Sequence, residues 1–559
     1  MSGARKRRAF LPAALRAALA FGFLNACLSL SFPADPWTPT TLLRLSPEAL
    51  FLPAALALSP RLGPRGRRLH LAWLAALVLG LRLFQSADAA IPLFFHRPFS
   101  LVLDLPRVPD FFRLLALTRT PAETAGLAAA AAAAGIGLVL FVHRALSALE
   151  TALRGLSPRL RLGVATAALG GGLAAALLAP ADARAIAPAS APRLAGEVAR
   201  WLRMDALRAS WNERFAEAAT RAAALRPDFA GLGGESVFVV FVESYGANAL
   251  FDPRLAGETI PALRRLERDL AGAGFRLASA LRRAPTAGGG SWLAHATLAS
   301  GVRIDGQLAH DLLPASPLVP LAARFREAGY RTLRAAPGTR WPAAGEAFYR
   351  FEETRIAPDF GYRGPGFGFS PVPDQFVLEW VGRHTAGGGP FFAEVILTGS
   401  HTPFDRRAGY LADWDALGDG SVYEGAAGGG QGFFFEARGE HEAYRTLLLD
   451  SLAAVAGFAR RHLRGNELLI FLGDHAPPIE IPPAVDAFSV PVHLVTRRES
   501  TLAEFQRRGF RPGIVPEPSA EPPGLETLFW DLIGGFNASR SPERETAGDR
   551  RATAAPPPG

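Results

Sequence analysis

The sequence contains almost no cysteine and almost no lysine. Cys27 is the single cysteine among 559 residues, and Lys6 is the single lysine. Because Cys27 lies in an apolar run, the soluble part has no disulfide, no thiolate metal site and no cysteine nucleophile. A chain without lysine beyond residue 6 also has no P-loop, no Schiff-base mechanism and no lysine general base. The lack of disulfides does not argue against an extracytoplasmic location.

The formal charge of +9 comes almost entirely from arginine. Most arginines are scattered through alanine-rich sequence, which is more typical of genomic bias than of a nucleic-acid-binding patch. We therefore expect no nucleic-acid partner. The length is too great for one ordinary domain and leaves room for a membrane part plus a large soluble part.

Five apolar segments are candidate membrane spans. The first is longer than a signal-peptide core and is followed by further apolar segments, so we expect it to be retained. The second is short and is interrupted by Pro47, Glu48 and Pro53. The five candidates are residues 10–32, 45–58, 69–95, 125–142 and 162–178, of which the last three are near the length that crosses a bilayer.

The arginine clusters in the loops predict the orientation of these spans. Basic clusters precede span one, separate spans two and three, and separate spans four and five. The positive-inside rule places all three clusters in the cytoplasm. Everything after Leu178 then lies on the outer face. The loop that carries Arg97 and Arg107 does not follow the rule, and its alternation with acidic and apolar residues predicts an interfacial helix.

Residues 234–536 alternate short apolar runs with amphipathic stretches, which indicates an α/β domain with a mainly parallel sheet. The expected strands are 237–242, 330–334, 391–397, 468–472 and 492–495. The expected helices include 260–273, 318–328, 375–382 and 441–463. The glycine-rich stretch 409–439 predicts a surface insertion or lid. We expect four parts in all: a transmembrane domain at 1–180, a linker with a juxtamembrane helix at 181–233, a catalytic domain at 234–538 and a disordered tail at 539–559.

One strand organises the soluble part. Residues 237–242 are six apolar residues, mostly β-branched or aromatic, and they predict a strand that is buried on both faces at the centre of a parallel sheet. The strand ends at Glu243. Ligands bind at the carboxyl ends of strands in such sheets, and a buried carboxylate there needs a cation or a metal as a partner. A helix-capping or surface-loop glutamate is the alternative interpretation.

Three other stretches end in reactive residues. Gly288-Gly289-Gly290 precedes Ser291 at an apparent helix start, where backbone N–H groups form an anion site. Ser291 is therefore a candidate nucleophile, with an N-cap serine as the alternative and Thr286 as a second candidate hydroxyl. His401 follows a strand, although a lone histidine there is usually structural.

The pair Asp474-His475 follows an apolar strand and a glycine. Carboxylate and imidazole are ligands that Mn²⁺ or Zn²⁺ accepts. Together with Glu243 and a serine oxygen, the pair could form a metal site with four ligands.

With these motifs the sequence resembles the lipoteichoic acid synthase type of membrane phosphoglycerol transferase, in the sulfatase and alkaline phosphatase superfamily. The resemblance rests on the Glu of Phe241-Val242-Glu243-Ser244, the hydroxyl after Gly288-Gly289-Gly290, Ser400-His401 and Gly473-Asp474-His475. It implies a membrane domain of five helices followed by a sulfatase-like domain. By this resemblance Glu243, Ser291, Asp474 and His475 hold one divalent metal ion, with Mn²⁺ favoured over Zn²⁺ or Mg²⁺.

The same resemblance assigns the substrate. His401 would contact the substrate phosphate, and Arg340 and Trp341 lie where the family places a substrate-binding Trp and Arg. The implied reaction moves a phosphoglycerol-type headgroup from a phospholipid donor to an envelope glycan or a lipid-linked acceptor, through a covalent intermediate on Ser291. The implied location is the bacterial inner membrane, with the catalytic domain on the periplasmic or extracellular side. The family nucleophile is usually threonine, and His295 stands near the place of an acidic residue, so the acceptor pocket differs.

Other functions stay open on the sequence alone. A formylglycine sulfatase is disfavoured, because Leu293 and His295 occupy the positions where its motif has proline and arginine. A phosphoethanolamine transferase shares the metal site but commonly has disulfides in its soluble domain. A phosphodiesterase or hydrolase would use water as the acceptor. A non-catalytic membrane scaffold is disfavoured by the joint presence of the four candidate ligands, and a transporter by the few polar residues in the spans.

Overall fold

A computed structural model describes residues 3–31, 38, 41, 43–57, 59, 62–109, 112, 120–178, 185–340, 344–425 and 440–537. The chain forms two compact units, one of Met1–Leu93 with Arg97–Met204 and one of Phe94–His96 with Asp205–Gly559. Trp341, residues 426–439 of the predicted lid and the predicted disordered tail lie outside the described residues. The four-part division expected from the sequence stays a prediction.

The first unit is helical. Its helices are α1 (Gly3–Ser29), α2 (Pro47–Leu56), α3 (Pro64–Phe95), α4 (Leu101–Asp104), α5 (Pro121–Arg154), α6 (Pro158–Leu178) and α7 (Ala191–Leu202). A short 3₁₀ turn, Leu105–Arg107, follows α4. Apolar side chains of α1, α2, α3 and α5 form one shared core. Thr120 and Glu123 form a capping box at the start of α5, which fixes where that helix begins.

Three helices within the described residues are long and apolar enough to cross a membrane: α3, α5 and α6. They correspond to the third, fourth and fifth predicted spans. The first and second predicted spans coincide with shorter apolar helices, Ala14–Ser29 and Pro47–Leu56. Many large apolar side chains on α5 and α6 are exposed, as helices that face lipid require, Phe141 and Leu177 among them. The count of five spans stays a prediction.

The second unit is built on one sheet of eight strands. The strands are β1 (Val237–Val242), β2 (Arg276–Arg283), β3 (Arg331–Ala336), β4 (Glu353–Ile356), β5 (Phe391–Ile396), β6 (Leu468–Gly473), β7 (Ser489–Thr496) and β8 (Arg511–Pro512). Their order is β4-β3-β5-β1-β6-β7-β2-β8. The first five strands in this order pair in parallel, whereas β7 is antiparallel to both of its neighbours. The expected α/β class with a mainly parallel central sheet is confirmed.

Helices cover both faces of this sheet. They are α8 (Met204–Leu225), α9 (Asn248–Phe251), α10 (Pro253–Gly272), α11 (Ser291–Ser300), α12 (Gln307–Leu312), α13 (Leu321–Glu327), α14 (Asp374–Thr385), α15 (His441–His462), α16 (Glu499–Arg507) and α17 (Thr527–Gly535). Short 3₁₀ turns lie at Ala230–Leu232, Leu313–Ala315, Ala344–Phe348, Ala357–Phe360, Asp415–Leu417 and Ser421–Tyr423.

The central strand contributes to the core on both sides. Phe238, Val240 and Val242 pack into a core with residues of α10, α14 and α15. Val239 and Phe241 pack on the opposite face with residues of α11, α13, α16 and α17. Period-2 alternation therefore divides an all-apolar strand between two cores, which explains why the strand is apolar throughout.

The sequence patterns did not predict β2, β4 and β8, because β2 carries Arg276, Arg282 and Arg283 and because β4 and β8 are very short. The described part of the predicted surface insertion, residues 409–425, is mostly exposed from residue 412 onward. Trp414, Leu417 and Tyr423 are buried members of the main core and anchor this segment. Its role as a lid stays a prediction.

Candidate metal and active site

The pairing of β1 with β6 brings the predicted metal ligands together. The two strands are parallel and Val242 is the register partner of Gly473. Glu243 and Asp474 therefore leave the same edge of the sheet side by side. His475 follows directly, so two segments that are more than two hundred residues apart in the chain meet at one point.

Glu243, Asp474 and His475 form a buried cluster that could hold a metal ion. One ligand atom from each residue lies within 4.8 Å of the others. The Nε2 atom of His475 is 3.3 Å from Oε1 of Glu243 and 3.8 Å from Oδ2 of Asp474. All three side chains are at most 3% exposed. A carboxylate pair and an imidazole in this arrangement are oxygen and nitrogen donors around one centre.

Backbone contacts orient the two ligands from β6. The Oδ1 atom of Asp474 accepts hydrogen bonds from the Ser244 N–H (2.8 Å) and from the His475 N–H (2.7 Å). The His475 Nδ1–H donates to the Ala476 carbonyl at 2.8 Å, which leaves Nε2 as the ligand atom. Asp474 Oδ2 and His475 Nε2 are buried without a hydrogen-bond partner among the described residues.

These unpaired atoms and the charges around them fit a bound cation. Burial and the neighbouring Glu243 carboxylate raise the pKa of Asp474, because two negative charges are held close together away from water. A divalent ion would relieve that repulsion and would satisfy both orphaned atoms. The donor set of carboxylate oxygens and imidazole nitrogen suits Mn²⁺ or Zn²⁺.

The glycine loop reaches the cluster from another strand. Gly288, Gly289 and Gly290 all have positive φ values (71°, 140° and 81°), which residues with side chains rarely adopt. The Gly288 N–H donates to the Ala476 carbonyl at 2.8 Å, immediately after His475. Helix α11 begins at Ser291, and its N-cap residue Gly290 provides no side-chain cap for the N–H groups of the first turn. Ser291 is half-buried at the start of that helix.

The strand that delivers Ser291 is β2. Because β2 is antiparallel to β7, and β7 is antiparallel to β6, β2 runs in the same direction as β6 and β1. Its carboxyl end therefore lies at the edge of the sheet where Glu243 and Asp474 lie. The alternative nucleophile Thr286 is buried, and its Oγ1–H donates to the Gly289 carbonyl at 2.6 Å. That hydroxyl fixes the shape of the loop.

His401 approaches from the other side of β1. Leu397, just after β5, donates its N–H to the Phe241 carbonyl, and the Ser400 hydroxyl donates to the Glu243 carbonyl at 2.6 Å. The loop that carries His401 is therefore attached to the residue that begins the cluster. The imidazole stacks on Phe369 with ring centroids 3.8 Å apart, and its Nδ1 bonds the Thr402 carbonyl. Burial lowers the pKa of His401, although the Glu243 charge opposes this effect.

Asp374 is a supporting residue that the sequence interpretation did not assign to the site. Its Oδ1 accepts the N–H groups of Thr398 and Gly399, each at 2.9 Å, and its Oδ2 accepts the Ser451 hydroxyl at 2.6 Å. The carboxylate thus fixes the turn that leads into His401. The available signal was an acidic residue directly after a proline at the start of a helix. The same pattern is typical of an acidic residue that only stabilises the helix start.

The structure says less about Arg340 and Trp341, the predicted substrate residues after β3. Arg340 is exposed. Two residues earlier, a Cβ atom added to Gly338 would lie 3.3 Å from the Phe369 ring. Its segment therefore passes near the ring that stacks on His401. Trp341 lies outside the described residues. The structure thus brings Glu243, Asp474 and His475 together, and it places the segments of Ser291 and His401 on either side of them.

No protein-family model matches the chain, and no curated protein matches it. Among solved structures, lipoteichoic acid synthase LtaP from Listeria monocytogenes is 15% identical with a TM-score of 0.37, over 57% of this chain and 79% of LtaP. The C-terminal periplasmic domain of EcEptC from Escherichia coli, solved with Zn, is 16% identical with a TM-score of 0.36, over 55% and 85%.

The Streptococcus pyogenes phosphoglycerol transferase GacH, solved with sn-glycerol-1-phosphate, is 14% identical with a TM-score of 0.35, over 62% of this chain and 88% of GacH. Identities this low assign no activity. With TM-scores below 0.5, these structures assign no family to the chain either.

Proposed function

We propose that the chain is a membrane-anchored, metal-dependent transferase. It moves a phosphoglycerol-type headgroup from a phospholipid to an envelope glycan or a lipid-linked acceptor, with Ser291 as the covalent nucleophile. The observation that carries the proposal is the buried cluster of Glu243, Asp474 and His475 with the Ser291 loop hydrogen-bonded to the next residue, Ala476. A buried cluster with two unpaired polar atoms is costly unless it binds something. A cation beside a hydroxyl is the arrangement that nucleophilic phosphoryl transfer needs.

In the first step the Ser291 oxygen attacks the phosphorus of the lipid headgroup. A P–O bond to Ser291 forms, the P–O bond to diacylglycerol breaks, and the proton of the serine is passed on to the leaving oxygen. The N–H groups at the start of α11 are placed to stabilise charge on the phosphoryl oxygens. A divalent ion at Glu243, Asp474 and His475 would lower the pKa of the serine hydroxyl and would polarise the phosphoryl group.

His401 is positioned to move a proton in both steps. Its Nδ1–H donates to the Thr402 carbonyl, which leaves Nε2 as the nitrogen that can accept a proton. Because burial favours the neutral ring, Nε2 can accept a proton and then return it. In the second step a hydroxyl of the acceptor attacks phosphorus, the bond to Ser291 breaks, and the serine regains a proton. Donor and acceptor thus react in turn at one centre.

The membrane helices fit this choice of donor. Helices α3, α5 and α6 are apolar and long enough to span a bilayer, and a phospholipid donor then never has to leave the membrane. The basic loop clusters favour a catalytic unit outside the cytoplasm. We therefore propose a bacterial inner-membrane protein with a periplasmic or extracellular catalytic unit and with Mn²⁺ as the first metal to test.

The test is a search for the covalent intermediate. The full chain in detergent is loaded with Mn²⁺ and mixed with phosphatidylglycerol, phosphatidylethanolamine and cardiolipin together, and its peptides are examined by mass spectrometry. We expect a glycerophosphate adduct on Ser291 and none in Ser291→Ala, which should remain folded. A phosphoethanolamine adduct would identify the other headgroup. An adduct on Thr286, or no adduct with any lipid, would contradict the proposal.

A further inference from the structure

A patch of polar groups, half-buried except for the exposed Asp311, begins at Trp292, the residue after Ser291. We name it the Trp292 patch, and its members are Trp292, Gln307, His310, Asp311 and Glu346. The indole N–H of Trp292 donates to Gln307 Oε1 at 3.1 Å, and Gln307 Nε2 donates to Asp311 Oδ1 at 2.7 Å. The imidazole of His310 lies 3.5 Å from the same Nε2. One network therefore joins the residue after Ser291 to the start of α12.

Glu346 closes the patch from a third segment. Residue 345 must be small here, because a Cβ on Gly345 would lie 2.7 Å from the His310 ring. The adjacent Glu346 side chain is 24% exposed, and its Oε2 accepts from Arg334 Nη1 at 2.7 Å. Its other oxygen is available to a ligand that approaches from solvent. The patch thus combines an aromatic ring, an amide and carboxylates within one connected surface.

Buried residues support the patch from below. Arg334 is 3% exposed and also lies 2.9 Å from Glu394 Oε1 on the neighbouring strand, so it holds Glu346 in place from below. The Tyr349 ring lies under the guanidinium at 3.7 Å, and the Tyr349 hydroxyl is buried with no hydrogen-bond partner among the described residues. A buried hydroxyl without a partner beside a half-exposed carboxylate indicates that a polar ligand or water completes the network.

The patch and the metal cluster differ in the charge of the ligand that each can bind. The patch carries the carboxylates of Asp311 and Glu346, and Glu394 lies below it, against one fixed cation, Arg334. Such a surface repels a phosphate but accepts hydrogen bonds from neutral hydroxyl groups. His295, one turn beyond Ser291 on α11, packs on the Phe241 ring of the central strand, with ring centroids 4.4 Å apart. A substrate can therefore put its phosphate at the cation and its hydroxyls at the patch.

We propose that the Trp292 patch binds a neutral polyhydroxylated group of a substrate. Sugars and polyols present hydroxyls to carboxylates and amides and an apolar face to an aromatic ring, and the patch offers all three. The inference rests on the proposed transfer through Ser291 and adds the chemical class that lies beside it. Two sources carry this chemistry, the glycerol of the lipid headgroup and a sugar ring of the acceptor.

Each source affects a different half of the reaction. The full chain in detergent with Mn²⁺ is mixed with phosphatidylglycerol, and the rate of adduct formation on Ser291 is measured. The isolated adduct is then mixed with a glucan oligosaccharide or with glycerol as hydroxyl-bearing probes, and its decay is followed. The variants are Glu346→Gln, Gln307→Ala and Asp311→Asn. Glu258→Gln is the matched control, since that carboxylate is 63% exposed on α10 and pairs with Arg445 elsewhere on the unit.

We expect Glu346→Gln and Gln307→Ala to slow one of the two steps about tenfold each, as the loss of a hydrogen bond in a binding site does. Slower formation identifies the headgroup glycerol, and slower decay identifies the acceptor. Asp311→Asn, at a side chain that is 62% exposed, should act in the same direction without affecting folding. The control should change neither step.

Both steps within twofold of the wild type in all three variants would overturn the inference, even though the Ser291 adduct forms. Equal slowing with phosphatidylethanolamine, which has no polyol headgroup, together with unchanged decay would overturn it as well. Absence of the adduct in the wild-type chain would instead contradict the proposed function.

Discussion

Asp374 offers the sharpest test of how the site is held together. It does not belong to the metal cluster, yet its carboxylate receives the backbone of the turn that leads into His401. Replacing it by alanine removes the acceptor of the Thr398 N–H, the Gly399 N–H and the Ser451 hydroxyl. Replacing it by asparagine keeps an oxygen for the two amides and loses only the third bond.

The size of the effect follows from these contacts. A buried donor that is left without an acceptor costs about 1–3 kcal/mol, so the two amides account for about 2–6 kcal/mol. The Ser451 hydroxyl adds little, because the Leu447 carbonyl lies 3.3 Å away as an alternative acceptor. Burial raises the pKa of Asp374, which means that the carboxylate itself is costly to bury and that its removal returns part of the loss. We expect about 3 kcal/mol for Asp374→Ala and about 1 kcal/mol for Asp374→Asn.

The assay follows unfolding and adduct formation in the same preparations. Denaturant unfolding of the full chain in detergent gives the free energies, and the rate of Ser291 adduct formation with phosphatidylglycerol gives the function. Asp374→Ala should slow the adduct far more than its partial unfolding explains, whereas Ser451→Ala should stay close to wild type in both. Equal effects of Asp374→Ala and Ser451→Ala, or an alanine variant with an unchanged adduct rate, would refute the idea that the carboxylate positions the His401 turn.

Three further predictions concern separate parts of the unit. Thr286→Val should slow adduct formation on Ser291 and Thr286→Ser should not, because only the hydroxyl that donates to Gly289 is needed; a shift of the adduct site or equal rates would contradict this. Removal of the metal with EDTA should lower the unfolding temperature and stop adduct formation, both restored by Mn²⁺, since a ligand at 100 times its Kd adds about 2.7 kcal/mol; an unfolding temperature that EDTA leaves unchanged would count against a cation at Glu243 and Asp474. Burial raises the pKa of Glu394 to about 7, although the positive charge of Arg334 opposes this shift. Arg334 also pairs with a second carboxylate, Glu346. The folded state therefore binds this proton more tightly than the unfolded chain does, and the free energy of unfolding should fall as the pH rises from about 4.3 towards 7, a slope that Glu394→Gln should reduce.

The meeting of Glu243, Asp474 and His475 could be predicted because its signal is local, whereas their role as metal ligands stays a prediction. Glu243 and the Asp474-His475 pair each follow an uninterrupted apolar strand, and the strand pattern alone predicts that both leave the sheet at one edge. The register of β1 with β6 then confirms their meeting. The glycines before Ser291 also carry a local signal, since three consecutive residues with positive φ are unfavourable for any other residue type.

The supporting residues could not be predicted because their signal is tertiary. Asp374 looks like an ordinary helix-start acid until Thr398 and Gly399 are placed against it. Phe369 looks like a loop aromatic until the His401 ring stacks on it. The ion pair of Arg334 with Glu394 depends on the register of β3 with β5, which pairs these two residues directly. No spacing along the chain encodes such contacts.

The strand that the sequence patterns missed explains how Ser291, the proposed nucleophile, reaches this edge of the sheet. β2 was overlooked because its arginines interrupt the apolar run, yet Arg282 is 3% exposed and pairs with Asp531, so the charge is compensated inside the fold. In this mainly parallel sheet β7 runs opposite to β1 and β6, and β8 runs opposite to β2. A strand parallel to β7 would end at the opposite edge of the sheet. Because β2 reverses direction again, its carboxyl end returns to the edge where Glu243 lies, and Ser291 arrives there through the glycine loop. The antiparallel part of the sheet therefore carries the proposed nucleophile, and the parallel part carries the proposed metal ligands.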